Sequence, residues 1–345
     1  MMTPSFKEPL KVLLGALLAV GIGEVAAQRV APLPPRIVQV EDGVRAYATS
    51  DPDTLVLGSS HTRSFAPLRD MVAARTHGAQ HMTLVPVEWG TFGSYRWVLD
   101  NRLRPLIEAR DARTGRLQRG RLSRAVLVTT FYDLCRRPGL SESNLPARAW
   151  TFRHFAADVA ARGLDDFNSN YLQTALADLL PFSDLLQDRG YGRITTSLID
   201  RARGLTEAER AERERSAVEV ARGRMEEQYD YCDDAQHKRS LRAMIDYFRG
   251  RGVEVAVVLF PLMPDIVSQR SRDTTLRRYD AWVASLAREV PVRVADMTLR
   301  APLGYEDFQP DLDHLTLAGN VKFSRWALAH EMSWLLDAPA RGEAP

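Results

Sequence analysis

The chain has 345 residues, 45% of them hydrophobic and 26% charged, with 46 basic and 44 acidic side chains giving a net charge of +2. That length supports one large domain or two modest ones around a substantial core. Charges so nearly balanced leave no electrostatic footprint for nucleic acid, and the absence of any low-complexity tract fits a globular chain.

Lys7 and Lys11 precede an uncharged stretch from Val12 to Gly23, followed by Glu24 and Val25-Ala26-Ala27. A basic start, a short apolar segment and small residues at a cleavage point read as a secretory signal. The stretch is shorter than the roughly 20 apolar residues of a spanning helix. An uncleaved anchor is the alternative if the segment runs on through Ala27. Either way the pattern predicts an extracytoplasmic protein, secreted or held to the membrane by this segment. Ala31-Pro32-Leu33-Pro34-Pro35 reads as a spacer. Residues 1–35 are therefore expected to be signal or anchor plus linker, and 36–345 an α/β domain.

Regular alternation follows. Thr54 to Leu57, ending at Gly58, is a short apolar run expected to be a buried parallel strand. A helix is expected over Phe65–Arg75, a strand over Met82–Val87, a helix over Tyr95–Ala109 and a strand over Ala125–Thr129. The segment at about 140–230 breaks this rhythm. It is helical in pattern, with Phe155, Val159, Leu172, Leu176, Leu179 and Leu180 as its apolar repeat, and reads as an inserted cap. Its charged run, Glu207 to Arg224, reads as a solvated helix face. A helix over Ala235–Arg249, the strongest strand at Val253–Phe260, a helix over Leu276–Glu289, a strand at Val292–Ala295 and a helix over Leu317–Leu336 complete the chain. Five strands separated by helices predict a flavodoxin-like three-layer sandwich with a five-stranded parallel sheet and a helical insertion after strand three. Sites in such sheets form at the carboxyl ends of the strands.

The two cysteines, Cys135 and Cys232, flank the insertion. In an oxidising compartment they are placed to form one disulfide, and two unpaired small apolar residues are an equal alternative. No Cys/His cluster occurs, and His77 and His81 have no acidic partners at metal spacing, so neither a metal nor another cofactor is expected.

Two segments at opposite ends of the domain carry chemistry: Val56-Leu57-Gly58-Ser59-Ser60-His61 at the end of the first strand, and Asp311-Leu312-Asp313-His314-Leu315-Thr316-Leu317-Ala318-Gly319 before the last helix. A serine hydroxyl becomes a nucleophile when an imidazole removes its proton, and the imidazole needs a carboxylate to set its tautomer. Ser60 is the expected nucleophile, His314 the base and Asp311 its orienter, with Asp313 as a substitute. A strand-to-helix turn also places Ser60 beside unpaired backbone N–H groups. Each residue has a plainer reading, Ser60 and Asp311 as helix caps and His314 as a structural histidine. Those readings must hold together at the two loops where the sheet would build its site, which favours the triad. His61 and Arg63 are weaker candidates for substrate contact. Trp89, Phe92, Tyr95 and Trp97 read as core packing, with sugar stacking as an outside alternative.

These blocks resemble the SGNH/GDSL hydrolase superfamily, whose first block is a G-D-S-type turn after strand one and whose last is D-x-x-H before a glycine-containing helix start. The resemblance covers roughly residues 52–135 and 235–337. It implies that Gly78 is the second-block glycine, an oxyanion donor beside Ser60. The third block reads Thr130-Phe131-Tyr132-Asp133, with Tyr132 where the family has asparagine, so either the Tyr132 hydroxyl is the third donor or the Ser60 and Gly78 amides suffice. Losing one such donor costs about 100- to 1,000-fold in rate. The hydrophobic start, the G-S-S turn and the helical insertion look like the superfamily's membrane-associated envelope branch, which includes the D-alanyl transfer protein of teichoic acid modification and exopolysaccharide O-acetyltransferases. That likeness implies O-acyl, chiefly acetyl, transfer to or from a cell-envelope polysaccharide, with an acyl donor and a multipass membrane acyltransferase as partners. The alternative is a non-catalytic envelope module that binds polysaccharide or such a partner.

Overall fold

The computed structural model describes residues 15, 35–88, 90–109, 122–130, 133, 160, 206–229, 235–309 and 311–338. The expected signal segment apart from Gly15, both cysteines, Tyr132, Trp89 and most of the insertion lie outside these residues. Among the described residues, no helix is long and apolar enough to cross a membrane.

Five apolar runs form the strands β1 (Thr54–Gly58), β2 (Met82–Pro86), β3 (Arg124–Thr129), β4 (Glu254–Leu259) and β5 (Arg293–Asp296). They pair in the order β2-β1-β3-β4-β5, all parallel. That order is flavodoxin-like, with the reversal in strand order along the sheet falling between β1 and β3. The registers Thr54↔Met82, Thr54↔Arg124 and Arg124↔Glu254 bring the strand starts level, so the carboxyl ends of β1, β3 and β4 share one edge. Leu55, Val56, Leu57, Val126, Val257 and Val258 are almost wholly buried. A continuous apolar run is stable in a strand when both faces of the sheet are covered, and here both are.

The covering helices are α1 (Pro35–Ser50), α2 (Ala66–Arg75), α3 (Phe92–Val98), α4 (Glu207–Tyr229), α5 (Ala235–Arg249), α6 (Arg277–Glu289) and α7 (Leu317–Ala329). One layer pairs α2 with α7 and another pairs α3 with α5. Most expected elements lie within a residue or two of their expected bounds. Three differ for identifiable reasons. The stretch after the proline spacer is helix α1, which buries Val40, Val44 and Tyr47 and packs against β2. The helix expected over 95–109 is α3, a π-turn at Leu99–Leu103 and a last turn at Arg104–Ile107. Pro105 lacks an N–H and its ring crowds the carbonyl four residues back, and the wider π-turn relieves that crowding. The last helix ends at Ala329, where His330 leaves helical geometry, and a 3-10 turn at Ser333–Leu336 follows.

Within the insertion, α4 is charged and largely exposed, with Val218 its buried apolar anchor. Its Arg222 donates to the Asp265 carbonyl at 2.7 Å, tying it to the loop after β4. Phe92, Tyr95 and Trp97 are buried, as core packing requires.

Candidate active site

β1 ends at Gly58 because another strand's backbone lies against it. A Cβ there would stand 2.3 Å from the Val128 carbonyl oxygen, so no larger residue fits without moving β3. The chain then enters a 3-10 turn over Ser60–Phe65, capped by the Ser59 hydroxyl, which accepts the His61 N–H. Ser60 opens this turn, so its N–H has no acceptor within the helix and lies at the carboxyl edge of the sheet.

The second half of the site comes from the loop before α7. Phe308 and Leu315 bridge in antiparallel fashion, Gln309 donates its N–H to the His314 carbonyl at 2.7 Å, and Thr316 donates its own to the Asp307 carbonyl at 2.8 Å. Within that hairpin Leu312 takes φ 55°, a left-handed conformation that a leucine adopts at a cost of about 1–2 kcal/mol. The turn lets the Asp311 carboxylate collect the N–H groups of Asp313 and His314, each at 3.0 Å. Thr316 caps α7 by accepting the Gly319 N–H at 3.0 Å. Gly319 is dictated by contact, since a Cβ there would lie 2.1 Å from the Asp307 carbonyl oxygen.

Together these loops place Ser60 Oγ 2.6 Å from His314 Nε2, and His314 Nδ1 2.8 Å from Asp311 Oδ2. The partners set the tautomer. Asp311 is a carboxylate and accepts only, so Nδ1 carries the proton and Nε2 accepts from the Ser60 hydroxyl. Burial pulls the His314 pKa down, but its hydrogen bond to Asp311 and the charges of Asp313 and Asp311 outweigh burial and the nearby Arg63, so the net direction is upward. For Asp311, burial pushes upward, and the hydrogen bond and charge of His314 overcome it, holding the carboxyl below its usual range. An aromatic floor of Phe65, Phe260 and Phe323, all buried, lies beneath. A serine, imidazole and carboxylate in this chain can pass the hydroxyl proton to the ring as the oxygen attacks a carbonyl.

The weaker candidates take distinct places. Arg63 is half exposed beside Ser60, donating to the Ser60 carbonyl at 3.3 Å and pairing with Glu88 at 2.6 Å. His61 is buried and turns inward, its ring parallel to that of His314 at 5° with centroids 4.9 Å apart. Its Nδ1 lies 2.8 Å from Ser59 Oγ, and its Nε2 lies 3.2 Å from both the carbonyl and the Oδ1 of Asp313. Asp313 therefore does not replace Asp311, its Oδ2 standing 3.9 Å from His314 Nδ1.

The expectation for Gly78 is corrected. It precedes β2 and sits at the amino-terminal edge, level with Thr54 rather than with Gly58, so it is at the opposite end of the sheet from Ser60. Its φ of 75° ends α2, where its N–H reaches the Ala73 carbonyl. The glycine at the carboxyl end of β2 is Gly90, whose N–H goes to the Val87 carbonyl and whose carbonyl accepts the Tyr95 hydroxyl. Of the expected oxyanion donors, Ser60 N–H is thus the one at this edge among the described residues. After β3, Asp133 is buried and organises the loop, accepting the Thr130 N–H at 2.7 Å and the Tyr95 hydroxyl at 2.9 Å.

His61, Asp313 and His314 offer ligand atoms within 4.8 Å of one another. Their geometry does not suit a shared cation. Two stacked, parallel rings cannot both aim an in-plane lone pair at one ion, and His61 Nε2 already faces carbonyl and carboxylate oxygens. No family model, curated protein or solved structure matches the chain.

Proposed function

We propose that this protein is a serine-nucleophile acyl-transfer enzyme of the SGNH/GDSL type, acting on O-acyl groups, chiefly acetyl, of a cell-envelope polysaccharide. One observation carries the reading: the unbroken chain from Ser60 through His314 to Asp311, joining residues 254 apart in sequence at 2.6 and 2.8 Å. Its place at the carboxyl edge of a parallel sheet supports it. The polysaccharide, the extracytoplasmic location and a multipass membrane acyltransferase as partner rest on the N-terminal segment and the motif likeness.

In the first half-reaction Ser60 Oγ attacks the ester carbonyl as its proton passes to His314 Nε2, and Asp311 stabilises the imidazolium. The Ser60 N–H supports the developing oxyanion. Collapse expels the donor alcohol, which takes the proton from His314, and leaves an acyl-serine. A sugar hydroxyl or water then attacks, giving its proton to His314 and restoring Ser60.

The pKa directions test this reading. Only neutral His314 is a base, and its pKa lies above the ordinary imidazole value. The expected kcat/KM for an aryl acetate rises with pH along a limb centred above about 6.5. Stability runs the opposite way. The raised His314 pKa stabilises most fully below the ordinary imidazole pKa and is lost as pH rises through its folded value. The lowered Asp311 pKa stabilises above the ordinary carboxylate value and is lost as pH falls through its folded value. The pair therefore stabilises most between about pH 4 and 6.5, where turnover is low. A rising limb centred below the ordinary imidazole pKa contradicts His314 as the base.

A further inference from the structure

Beside the proposed triad runs a second chain of the same three residue types, Ser59, His61 and Asp313. It is not a second nucleophilic site, because Ser59 is buried and its hydroxyl is engaged in the turn. Its direction can be read from its partners. His61 Nε2 faces the Asp313 carbonyl, which only accepts, so Nε2 carries the proton. Nδ1 is then an acceptor, and the Ser59 hydroxyl donates to it at 2.8 Å. The chain thus runs from Ser59 O–H to His61 Nδ1, and from Nε2–H to the backbone and carboxylate of Asp313. It joins the β1 turn to the loop before α7 by a path that bypasses Ser60.

We infer that His61 is a positioning residue, holding the Asp313 carboxylate against His314 so that two carboxylates, not one, balance the proton the base takes up. This rests on the acyl-transfer reading for its chemical purpose, though not for its geometry. Asp313 uses Oδ1 for His61 at 3.2 Å and presents Oδ2 to His314 Nδ1 at 3.9 Å, too long for a hydrogen bond and close enough for charge to act. The carboxylate is partly exposed, and the His61 N–H fixes which way it points. The parallel ring of His61, wedged between Phe260 at 4.6 Å and His314 at 4.9 Å, keeps the base ring flat in its slot. Among the described residues, the other charges near His314 are Asp311 on its own loop and Arg63 on the β1 turn, with Glu88 paired to Arg63. Lys322 on the adjoining helix α7 pairs with Asp307 in the turn that precedes the loop. The consequence is a stronger base, suited to removing a proton from a sugar hydroxyl of ordinary alcohol acidity.

The test is an NMR pH titration of the His314 imidazole in the full chain, which needs no turnover, run beside aryl acetate kinetics. Asp313→Asn removes the charge. His61→Phe keeps the ring and its stacking but loses both hydrogen bonds. His61→Asn is too short to reach Asp313, whereas His61→Gln carries an amide N–H to about the position of Nε2. The His314 midpoint is expected to fall by about one pH unit in Asp313→Asn, and in the same direction in His61→Phe and His61→Asn. It should stay near the wild-type value in His61→Gln. A midpoint that moves in Asp313→Asn but stays put in His61→Phe and His61→Asn overturns the positioning role. So does one that moves in none of them. Midpoints that shift as expected in a protein without Ser60-dependent turnover would leave the relay standing and sink the acyl-transfer reading instead.

Discussion

Ester turnover is expected to fall by roughly four to six orders of magnitude when Ser60 is replaced by alanine, and by a similar factor in His314→Ala. On the proposed mechanism the two residues act as one unit, because His314 Nε2, 2.6 Å from Ser60 Oγ, is the acceptor for its proton among the described residues. The double variant should therefore be scarcely slower than either single one. Asp311→Asn is expected to cost about 10⁴-fold, because an amide can present its N–H to Nδ1 and so put the His314 proton on Nε2, facing Ser60. That variant also keeps an oxygen for the N–H groups of Asp313 and His314, so the loop should remain folded. Aryl acetate kinetics on purified full-length variants, with folding checked by circular dichroism, decide it. Turnover that survives in Ser60→Ala, or additive losses in the double variant, would mean the three residues are not one catalytic chain.

The second large effect is structural. Gly319→Ala is expected to destabilise the protein by about 1–3 kcal/mol or more, because the added methyl would stand 2.1 Å from the Asp307 carbonyl oxygen. That oxygen cannot retreat at no cost, since it accepts the Thr316 N–H and hydroxyl that hold the start of α7. The backbone on the other side of Thr316 carries His314, so relief of the clash shifts the base relative to Ser60. The expected result is a lower urea midpoint together with a fall in kcat, from a residue that touches no substrate. A variant with an unchanged midpoint and unchanged kcat would show that the loop is softer than its hydrogen bonds imply.

The core and the meeting of Ser60, His314 and Asp311 were legible in the sequence for related reasons. Apolar runs such as Val255 to Leu259 have no polar face, so they fit only a strand covered on both sides, and alternation with helices forces them parallel. Parallel strands then put their carboxyl ends at one edge, and Ser60 and His314 meet there, after β1 and before α7. What stayed hidden depends on close approach in three dimensions. α1 begins at the proline run, and Gly43 in its interior weakens the helix pattern. Gly43 in fact serves contact, since a Cβ there would lie 2.8 Å from the Leu84 carbonyl oxygen of β2. The family resemblance puts Gly78 in the site, yet it lies before β2 and so at the opposite edge from Ser60. His61 reads in the sequence only as a weaker candidate for substrate contact beside Ser60. The 3-10 turn, capped by Ser59, folds its ring inward beneath His314, a placement that only the backbone geometry of residues 59–65 determines.

The most direct test of the central claim is intact-mass and peptide analysis of the full chain after exposure to an active-site-directed fluorophosphonate, with His314→Ala and Ser60→Ala beside it. The proposed mechanism predicts a single adduct on the peptide carrying Ser60, formed quickly in the wild type, slowly in His314→Ala and not at all in Ser60→Ala. An adduct on another residue, or equal labelling of wild type and Ser60→Ala, would contradict a Ser60 nucleophile activated by His314.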